Sequence, residues 1–392
     1  MKYLSLATVF AAAGGFVVMW IASWALDAES GYSYFLAFWG LFFAATGLID
    51  GITQETTRAV AASRETKARG TANPWKLGGA IGAALTGAAL AAGAVGMARL
   101  VPSNPGAATG LLAFGLLSYA FQAVLSGILS GSGLWSRYAA LVAMDSGVRL
   151  VLAVVVWALG GGLVEFLVIT VIGALSWILI LALSPVRVTL DVDRATFVRR
   201  VASAMVASGA SAALITGFPT AASAAFPAAT SGAAVAAINN AIMLTRAPVL
   251  VPLQRFQSAL VVRFVRQRDR VYQALAAPVA AILGVGLAGF AAAWAVGPWI
   301  LRVAYKPELF VDGLTLGLLT FASAFMGMLM ITGVAVLALE RHGFYVAGWL
   351  AATATAFAVL FLAPWGVTAT VVAALFAGPV VGTLVHLAGL TR

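Results

Sequence analysis

Residues 239–272, NNAIMLTRAPVLVPLQRFQSALVVRFVRQRDRVY, carry the features that decide how this chain is organised. The stretch begins as an apolar span that contains Asn239, Asn240 and Arg246, and it ends in a strongly basic segment. An arginine within or at the edge of a hydrocarbon layer is costly, so it is a candidate functional residue. The pattern predicts a membrane helix followed, over 254–272, by an amphipathic basic helix at the membrane surface.

The composition of the whole chain is that of an integral membrane protein. Of its 392 residues 62% are hydrophobic and 9% are charged, whereas soluble domains have about 25% charged residues. Repeated runs of about 20 apolar residues predict transmembrane helices. The chain has no cysteine and two distant histidines, His342 and His386, so it offers neither thiolate chemistry nor a metal-ligand pattern. We therefore expect no cofactor and no metal.

The hydropathy pattern predicts about 12 transmembrane helices, in an all-α fold with two six-helix bundles. Residues 1–183 are expected to form the N-terminal bundle, 184–200 a cytoplasmic linker, and 201–392 the C-terminal bundle. The seventh span and the turn after it contain Gly209, Gly217, Pro219, Pro227 and Gly232, and prolines and small residues let a membrane helix bend. The predicted spans lie near 3–25, 32–53, 77–100, 107–130, 139–159, 164–183, 201–221, 231–251, 273–295, 313–337, 344–363 and 368–389.

The distribution of charge predicts the orientation. If the N-terminus is cytoplasmic, the inner side collects 19 of the 23 lysines and arginines, and the outer loops have Arg99, Arg302 and Lys306. This asymmetry obeys the positive-inside rule. Both termini are therefore expected in the cytoplasm. The Ala-, Gly- and Val-rich usage suggests a G+C-rich genome, and hence a bacterial inner (plasma) membrane, with an actinobacterial envelope as one setting.

The two halves share a loop pattern. After the fourth and tenth spans the chain passes a short loop with a basic residue and an aromatic, crosses, turns within a few residues and returns. Two six-span halves have the same orientation, which predicts parallel bundles related by a pseudo-twofold axis along the membrane normal, with a cleft between them.

Two segments carry a resemblance to a known family. YSYFLAFWGLFFAATGLIDGITQETTRAVA, residues 32–61, resembles the second span of polysaccharide-lipid exporters, which ends near an arginine, here Arg58. LTRAPVLVPLQRFQSALVVRFVR, residues 244–266, is similar to the eighth span and following loop of that family. With twelve spans, nearly the whole chain resembles the multidrug/oligosaccharidyl-lipid/polysaccharide (MOP) flippase superfamily, in its Wzx-like and lipid II flippase-like branch.

This resemblance implies a MATE-like, V-shaped transporter that works by alternating access and catalyses no covalent change. It implies a cationic cavity that accepts the phosphate and sugars of a polyprenyl-linked glycan lipid, whose tail stays in or near the bilayer. Membrane lipids and envelope glycosyltransferases are the other expected partners, nucleic acid is not one, and the protein is expected to be a monomer.

Three arginines are candidate ligands for a phosphate. Arg246 and Arg149 are the deepest basic residues and Arg58 lies at the inner mouth, and guanidinium groups supply the forked donors that a desolvated phosphate needs. Two other interpretations stay open. Arg246 could extend its charge to the headgroups, and Arg58 could be an anchor on the basic side.

Asp145 and Arg149 lie four residues apart on one helical face. They form either an internal ion pair or a pair that opens when phosphate or a proton competes. Asp50 is a possible third partner, so Asp50 and Asp145 are candidates for ion coupling. Asn239 and Asn240 are candidate sugar ligands, together with Gln122 and Tyr119, although interhelical polar packing explains such groups equally well.

Other functions compete with that of a flippase. The membrane spans of the second half contain no carboxylate, which disfavours a cation-coupled multidrug or metabolite exporter, the main alternative. Asp27 and Glu29 after the first span resemble the acidic pair of membrane-embedded glycosyltransferases, but their loop is only about six residues long. A non-transporting scaffold for envelope assembly is a further alternative.

Overall fold

The structure is a computed structural model, and it describes the chain apart from residues 1, 67–69, 184, 187, 227, 268–269, 340 and 392. Twelve helical segments of the described part are long and apolar enough to cross a membrane, which confirms the predicted all-α, twelve-span fold. Lys67, Arg69, Arg187 and Arg268, which belong to the lysines and arginines predicted on the inner side, lie outside the described residues.

The α-helices are α1 (Lys2–Ala25), α2 (Ser33–Thr66), α3 (Pro74–Leu100), α4 (Pro105–Gly131), α5 (Trp135–Ala158), α6 (Leu163–Ile172), α7 (Ser176–Leu183), α8 (Arg194–Ile215), α9 (Phe218–Ala225), α10 (Ala228–Arg266), α11 (Val271–Ala304), α12 (Gly313–Ala338), α13 (His342–Leu362) and α14 (Val367–Leu390).

The first compact unit, Met1–Thr220, is built around α2 and α4. Its core joins Phe42 of α2, Leu116 of α4 and Phe197 of α8 in one apolar cluster. Helices α2 and α8 approach closely because α2 presents glycines: a Cβ at Gly51 would lie 2.6 Å from Met205 Cα. Small residues allow such close approach of membrane helices.

The polar segment before α8 is packed into this unit. Leu190 is fully buried, the Gly70 amide donates to the Leu190 carbonyl at 2.6 Å, and the Ala72 amide donates to Val192 at 3.2 Å. Asp193 caps α8 through the Thr196 amide, and this hydrogen bond lowers the pKa of the Asp193 carboxyl. Helix α8 packs on α2 and so belongs to the first unit. The two compact units therefore divide after Thr220, which lies beyond the predicted linker 184–200. The division at 184–200 stays a prediction.

The second compact unit, Ala221–Arg392, is built around α12. Helix α12 is apolar on all sides, and 78% of the residues in an 18-residue stretch of it are buried, as expected for a helix surrounded by others. Helix α10 runs unbroken for 39 residues through Pro248 and Pro252, so residues 254–266 continue the membrane helix without a break. The position of 254–272 at the membrane surface stays a prediction. Neighbouring helices support a membrane helix at proline, and here α12 packs along α10.

Burial along the twelve spans repeats with a period of six. The share of buried residues in an 18-residue apolar stretch of each span is 61% and 67% for the second and eighth spans, 67% and 78% for the fourth and tenth, and 44% for both the sixth and twelfth. The other six spans are all 28% buried or less. Equivalent spans of the two halves therefore have equivalent environments, which supports the internal repeat predicted from the loop pattern.

The sixth and seventh spans are discontinuous. The sixth changes from α6 to α7 through a 3₁₀ turn, Gly173–Leu175. The seventh breaks between Ile215 and Phe218, at Gly217, one of the residues expected to let it bend, whereas α8 runs unbroken through Gly209 and Pro227 lies outside the described residues. At the short connection after α1, Asp27 Oδ1 accepts the amides of Glu29 and Ser30. Asp27 therefore caps the helical turn that follows it.

Candidate functional site in the two helical units

The predicted pair on α5 forms a forked ion pair. Arg149 Nη1 lies 2.6 Å from Asp145 Oδ2, and Nη2 lies 2.9 Å from Oδ1. Arg149 is 5% exposed, and its Cζ lies 5.1 Å from the centre of the Phe43 ring of α2, a cation–π contact. Gln122 of α4 donates to Asp145 Oδ1 at 3.2 Å. The guanidinium is thus neutralised and held from several sides.

The break in the sixth span supplies the last partner of Arg149. Arg149 Nε donates to the Thr170 carbonyl at 3.1 Å, next to the change from α6 to the 3₁₀ turn. Gly173 makes room for the pair, because a Cβ there would lie 2.6 Å from Asp145 Oδ1 and 2.7 Å from Arg149 Cζ. Discontinuous membrane helices commonly form substrate and ion sites in transporters.

Helix α4 connects this pair to Asp50. The Tyr119 hydroxyl donates to Asp50 Oδ1 at 2.9 Å, and Gln122, three residues further along α4, contacts Asp145. Residues three apart share a helical face, so one face of α4 joins a carboxylate of α2 to a carboxylate of α5. Asp50, which the sequence suggested as a possible third partner, is therefore linked to the pair through α4.

Arg58 lies in an ion cluster near the C-terminal end of α2. Its guanidinium contacts Glu55 at 2.7 Å and Asp191 at 3.2 Å. Arg200 of α8 lies 3.8 Å from Glu55, so the cluster joins α2, the segment before α8, and α8 itself. Two carboxylates already bind Arg58, and its role as a phosphate ligand stays a prediction.

Arg246 of α10 is directed into the second unit. It is 8% exposed and lines a narrow crevice with Thr245 of the same helix, Ser323 and Met326 of α12, and Leu375 of α14. The sequence left open whether Arg246 lies inside the protein or extends its charge to the headgroups, and the structure buries its side chain in the interior of the helical unit. The part of Arg246 in binding a substrate stays a prediction.

The two amides of α10 are also buried. Asn239 is 0% and Asn240 3% exposed, and Asn239 Nδ2 lies 3.4 Å from Ser223 Oγ. Asn239 precedes Arg246 by seven residues, or two helical turns, so the two residues lie on similar sides of α10. The helix thus aligns an amide with a guanidinium inside the unit.

Several contributors could not be found from spacing alone. The Thr170 carbonyl and Asp191 are distant in sequence from the arginines that they bind. Glu55 was detectable, because it lies three residues before Arg58. Thr332 and His386 form a further buried contact, Oγ1 to Nδ1, at 3.1 Å, although no sequence pattern pairs them.

Solved structures with the same fold are transporters of one superfamily. An inward-facing multidrug resistance MATE family transporter of the MOP superfamily superposes with a TM-score of 0.75 and 16% identity, over 98% of this chain and 94% of that chain. A MOP superfamily transporter from Pyrococcus furiosus, described as having a binding pocket of reverse polarity, gives a TM-score of 0.68 and 17% identity, over 100% and 96%. The chain is thus a multi-pass membrane protein with the MOP transporter fold.

Curated relatives come from mycobacteria, and no protein-family model matches the chain. Uncharacterized protein Mb3654 of Mycobacterium bovis is 36% identical, over 98% of this chain and 90% of its own length. Uncharacterized protein Rv1510 of Mycobacterium tuberculosis is also 36% identical, with the same coverage of both chains. The chain belongs to the family of these mycobacterial proteins.

Proposed function

We propose that this protein is a MOP superfamily flippase. It moves a polyprenyl-phosphate- or pyrophosphate-linked saccharide from the cytoplasmic to the outer leaflet of a bacterial inner membrane, for cell-envelope glycan synthesis. Its membrane-embedded polar residues become accessible to the two sides in turn, and both termini are cytoplasmic. The bond between lipid and sugar is unchanged, so no enzymatic step is involved.

The observation that carries this proposal is the position of Arg246. It is buried inside a helical unit whose membrane helices, α10 to α14, contain no carboxylate. A buried arginine in a membrane segment is expensive and commonly functional, and a guanidinium matches the forked acceptors of a phosphate. Asn239, on a similar side of α10, is suited to hydrogen-bond sugar hydroxyls. An anionic, sugar-bearing headgroup is the substrate that fits these groups.

The first unit has a different role in this proposal. Arg149 is already neutralised by Asp145, so it binds phosphate only if that pair opens. Asp50 has the Tyr119 hydroxyl as its hydrogen-bond donor and has no arginine within ion-pair distance among the described residues. Asp50 is therefore the better candidate for binding a coupling proton or cation.

One observation favours the alternative, a cation-coupled multidrug or metabolite exporter. Asp50 is a carboxylate within a membrane-spanning helix, and such residues commonly mark cation pathways. A protein of the same fold is a multidrug resistance MATE family transporter. In that case Asp50 would be essential for transport of an organic cation, and Arg246 would be dispensable.

A translocation assay in liposomes tests the proposal. The probe is a short-chain polyprenyl diphosphate that carries a fluorescent sugar, and its arrival in the far leaflet is read with a membrane-impermeant quencher. We expect Arg246→Gln to reduce the rate about tenfold or more, because a hydrogen bond to a charged group contributes about 1.5–3 kcal/mol. Arg246→Lys should retain part of the rate.

Arg302→Ala is the matched control. Arg302 is an exposed arginine of the same unit, 5.0 Å from the Phe310 ring, and its loss should leave the rate unchanged. Equal rates for the parent protein and Arg246→Gln would contradict the assignment. Transport of an organic cation that requires Asp50 but not Arg246 would instead establish the exporter.

A further inference from the structure

His386 lies in a closely fitted site where three helices of the second unit meet. It belongs to α14 and is fully buried, and its ring is parallel to that of Tyr345 on α13, with centres 6.1 Å apart. Glycines form the space for the imidazole: a Cβ at Gly348 would overlap the ring, and one at Gly333 would lie 3.2 Å from Cε1. The ring thus has a single position in this packing.

One ring nitrogen carries a hydrogen in every protonation state. Nε2 lies 3.2 Å from the Tyr345 carbonyl oxygen. A carbonyl can only accept a hydrogen bond, so Nε2 must donate. The neutral ring is therefore the tautomer with hydrogen on Nε2, and any added proton must bind to Nδ1.

The other nitrogen faces a group that can adapt to a proton. Nδ1 lies 3.1 Å from Thr332 Oγ1 on α12, and Oγ1 lies 3.0 Å from the carbonyl oxygens of Met328 and Leu329. With a neutral ring, the hydroxyl donates to Nδ1. With a protonated ring, the hydroxyl rotates to donate to either carbonyl and accepts from Nδ1–H. Rotation of one hydrogen keeps both nitrogens hydrogen-bonded in both states.

No described carboxylate faces this site from the helices packed against α14. Helix α12 contributes no titratable group near Thr332, α13 contributes Tyr345 and the exposed His342, and Tyr272 of α11 donates to the Leu387 carbonyl at 3.3 Å. Arg341 donates to the Gly389 carbonyl at the end of α14. On α10, Arg246 lines a crevice with Leu375, eleven residues before His386. A proton on His386 would therefore add a charge that no described neighbour cancels.

We propose that His386 is a proton-binding site within the second unit, with Thr332 as the hydroxyl that lets Nδ1 accept and release the proton. The site binds a proton without a carboxylate, and its occupancy changes the charge where α12, α13 and α14 meet. Histidine is the side chain whose ordinary pKa lies nearest to neutral, which makes it a common proton-binding group in proteins. The proton site is independent of the identity of the transported substrate.

Nitrogen NMR of selectively labelled histidine tests this directly. The chain has two histidines, so ¹⁵N-histidine labelling in a His342→Gln background leaves His386 as the single signal, in lipid nanodiscs without substrate. As the pH is lowered from about 8 to about 4 we expect Nδ1 to change from unprotonated to protonated in one transition, while Nε2 stays protonated.

Two substitutions of Thr332 examine the role of its hydroxyl. Thr332→Val removes the acceptor for Nδ1–H and should move the midpoint about one unit to lower pH, while Thr332→Ser keeps the hydroxyl and should keep the midpoint. No Nδ1 transition in this pH range, or a midpoint that does not respond to Thr332→Val, would overturn the proposal. If Thr332→Val fails to fold, the titration with Thr332 intact still decides whether His386 binds the proton. Because the readout needs no translocation, failure of the flippase assignment would leave this result unaffected.

Discussion

At the scale of single residues, the ion pair on α5 shows how a membrane protein retains a buried charge. Arg149 has a carboxylate, a main-chain carbonyl and an aromatic ring as partners. Continuum calculations and mutational data agree that removing one member of such a pair is worse than replacing both. The pair is therefore expected to be sensitive to single substitutions in particular.

We predict that Asp145→Asn destabilises the protein more than the double change Asp145→Asn with Arg149→Met. The single change leaves an uncompensated buried guanidinium and should cost about 3–5 kcal/mol, whereas the double change removes both charges. Thermal unfolding in detergent micelles, followed by the loss of the monodisperse peak, measures the difference. A double variant that unfolds at or below the temperature of the single variant would refute this account.

Sequence spacing could predict only the local part of the residue-scale site. The separation of four residues was enough to pair Asp145 with Arg149. Thr170 and Phe43 reach Arg149 only because the fold brings the end of α6, next to the 3₁₀ turn at Gly173, and one ring of α2 to the guanidinium of α5. Such contacts depend on tertiary geometry, which neither hydropathy nor periodicity contains.

At the scale of helices, the contact between α2 and α8 depends on glycine. A Cβ at Gly51 would lie 2.6 Å from Met205 Cα and 2.7 Å from the Ala204 carbonyl carbon, both of them main-chain atoms that cannot rotate away. The sequence predicted both spans, because hydrophobic length identifies a membrane helix. It could not predict that α8 packs on α2, nor that α10 continues through two prolines.

We predict that Gly51→Val destabilises the first unit by about 1–3 kcal/mol, the usual cost of overpacking a filled interior. Gly87→Val on α3 is the matched control, since a Cβ at Gly87 meets nothing within 4 Å. Both variants replace a glycine within a helix by valine, so the difference between their losses of stability measures the cost of the packing contact alone. Urea or thermal unfolding in the same detergent compares them, and equal stability losses would argue against a tight α2–α8 contact.

At the scale of the whole molecule, the two halves of the chain are alike in which spans they bury and differ in the charges of those spans. Each half buries its second and fourth spans most deeply. Among the residues whose burial the structure describes, the arginines below 10% exposure are Arg149 in the first half and Arg246 in the second. The carboxylates Asp50 and Asp145 belong to the first half alone, since the spans of the second contain none. The two halves therefore share a pattern of span burial but differ in the charges that their spans contain.

The direction of export depends on the orientation of the chain, which the absence of cysteine makes simple to measure. Thr71 and Ser103 are exposed residues of the connections on either side of α3, and the positive-inside rule places the first in the cytoplasm and the second outside. We predict that a membrane-impermeant maleimide labels Ser103→Cys in intact cells and labels Thr71→Cys only after permeabilisation. Thr391→Cys, near the C-terminus, should behave like Thr71→Cys. The unsubstituted chain controls for background labelling, and the reverse pattern would place the basic connections outside and exclude the proposed direction of transport.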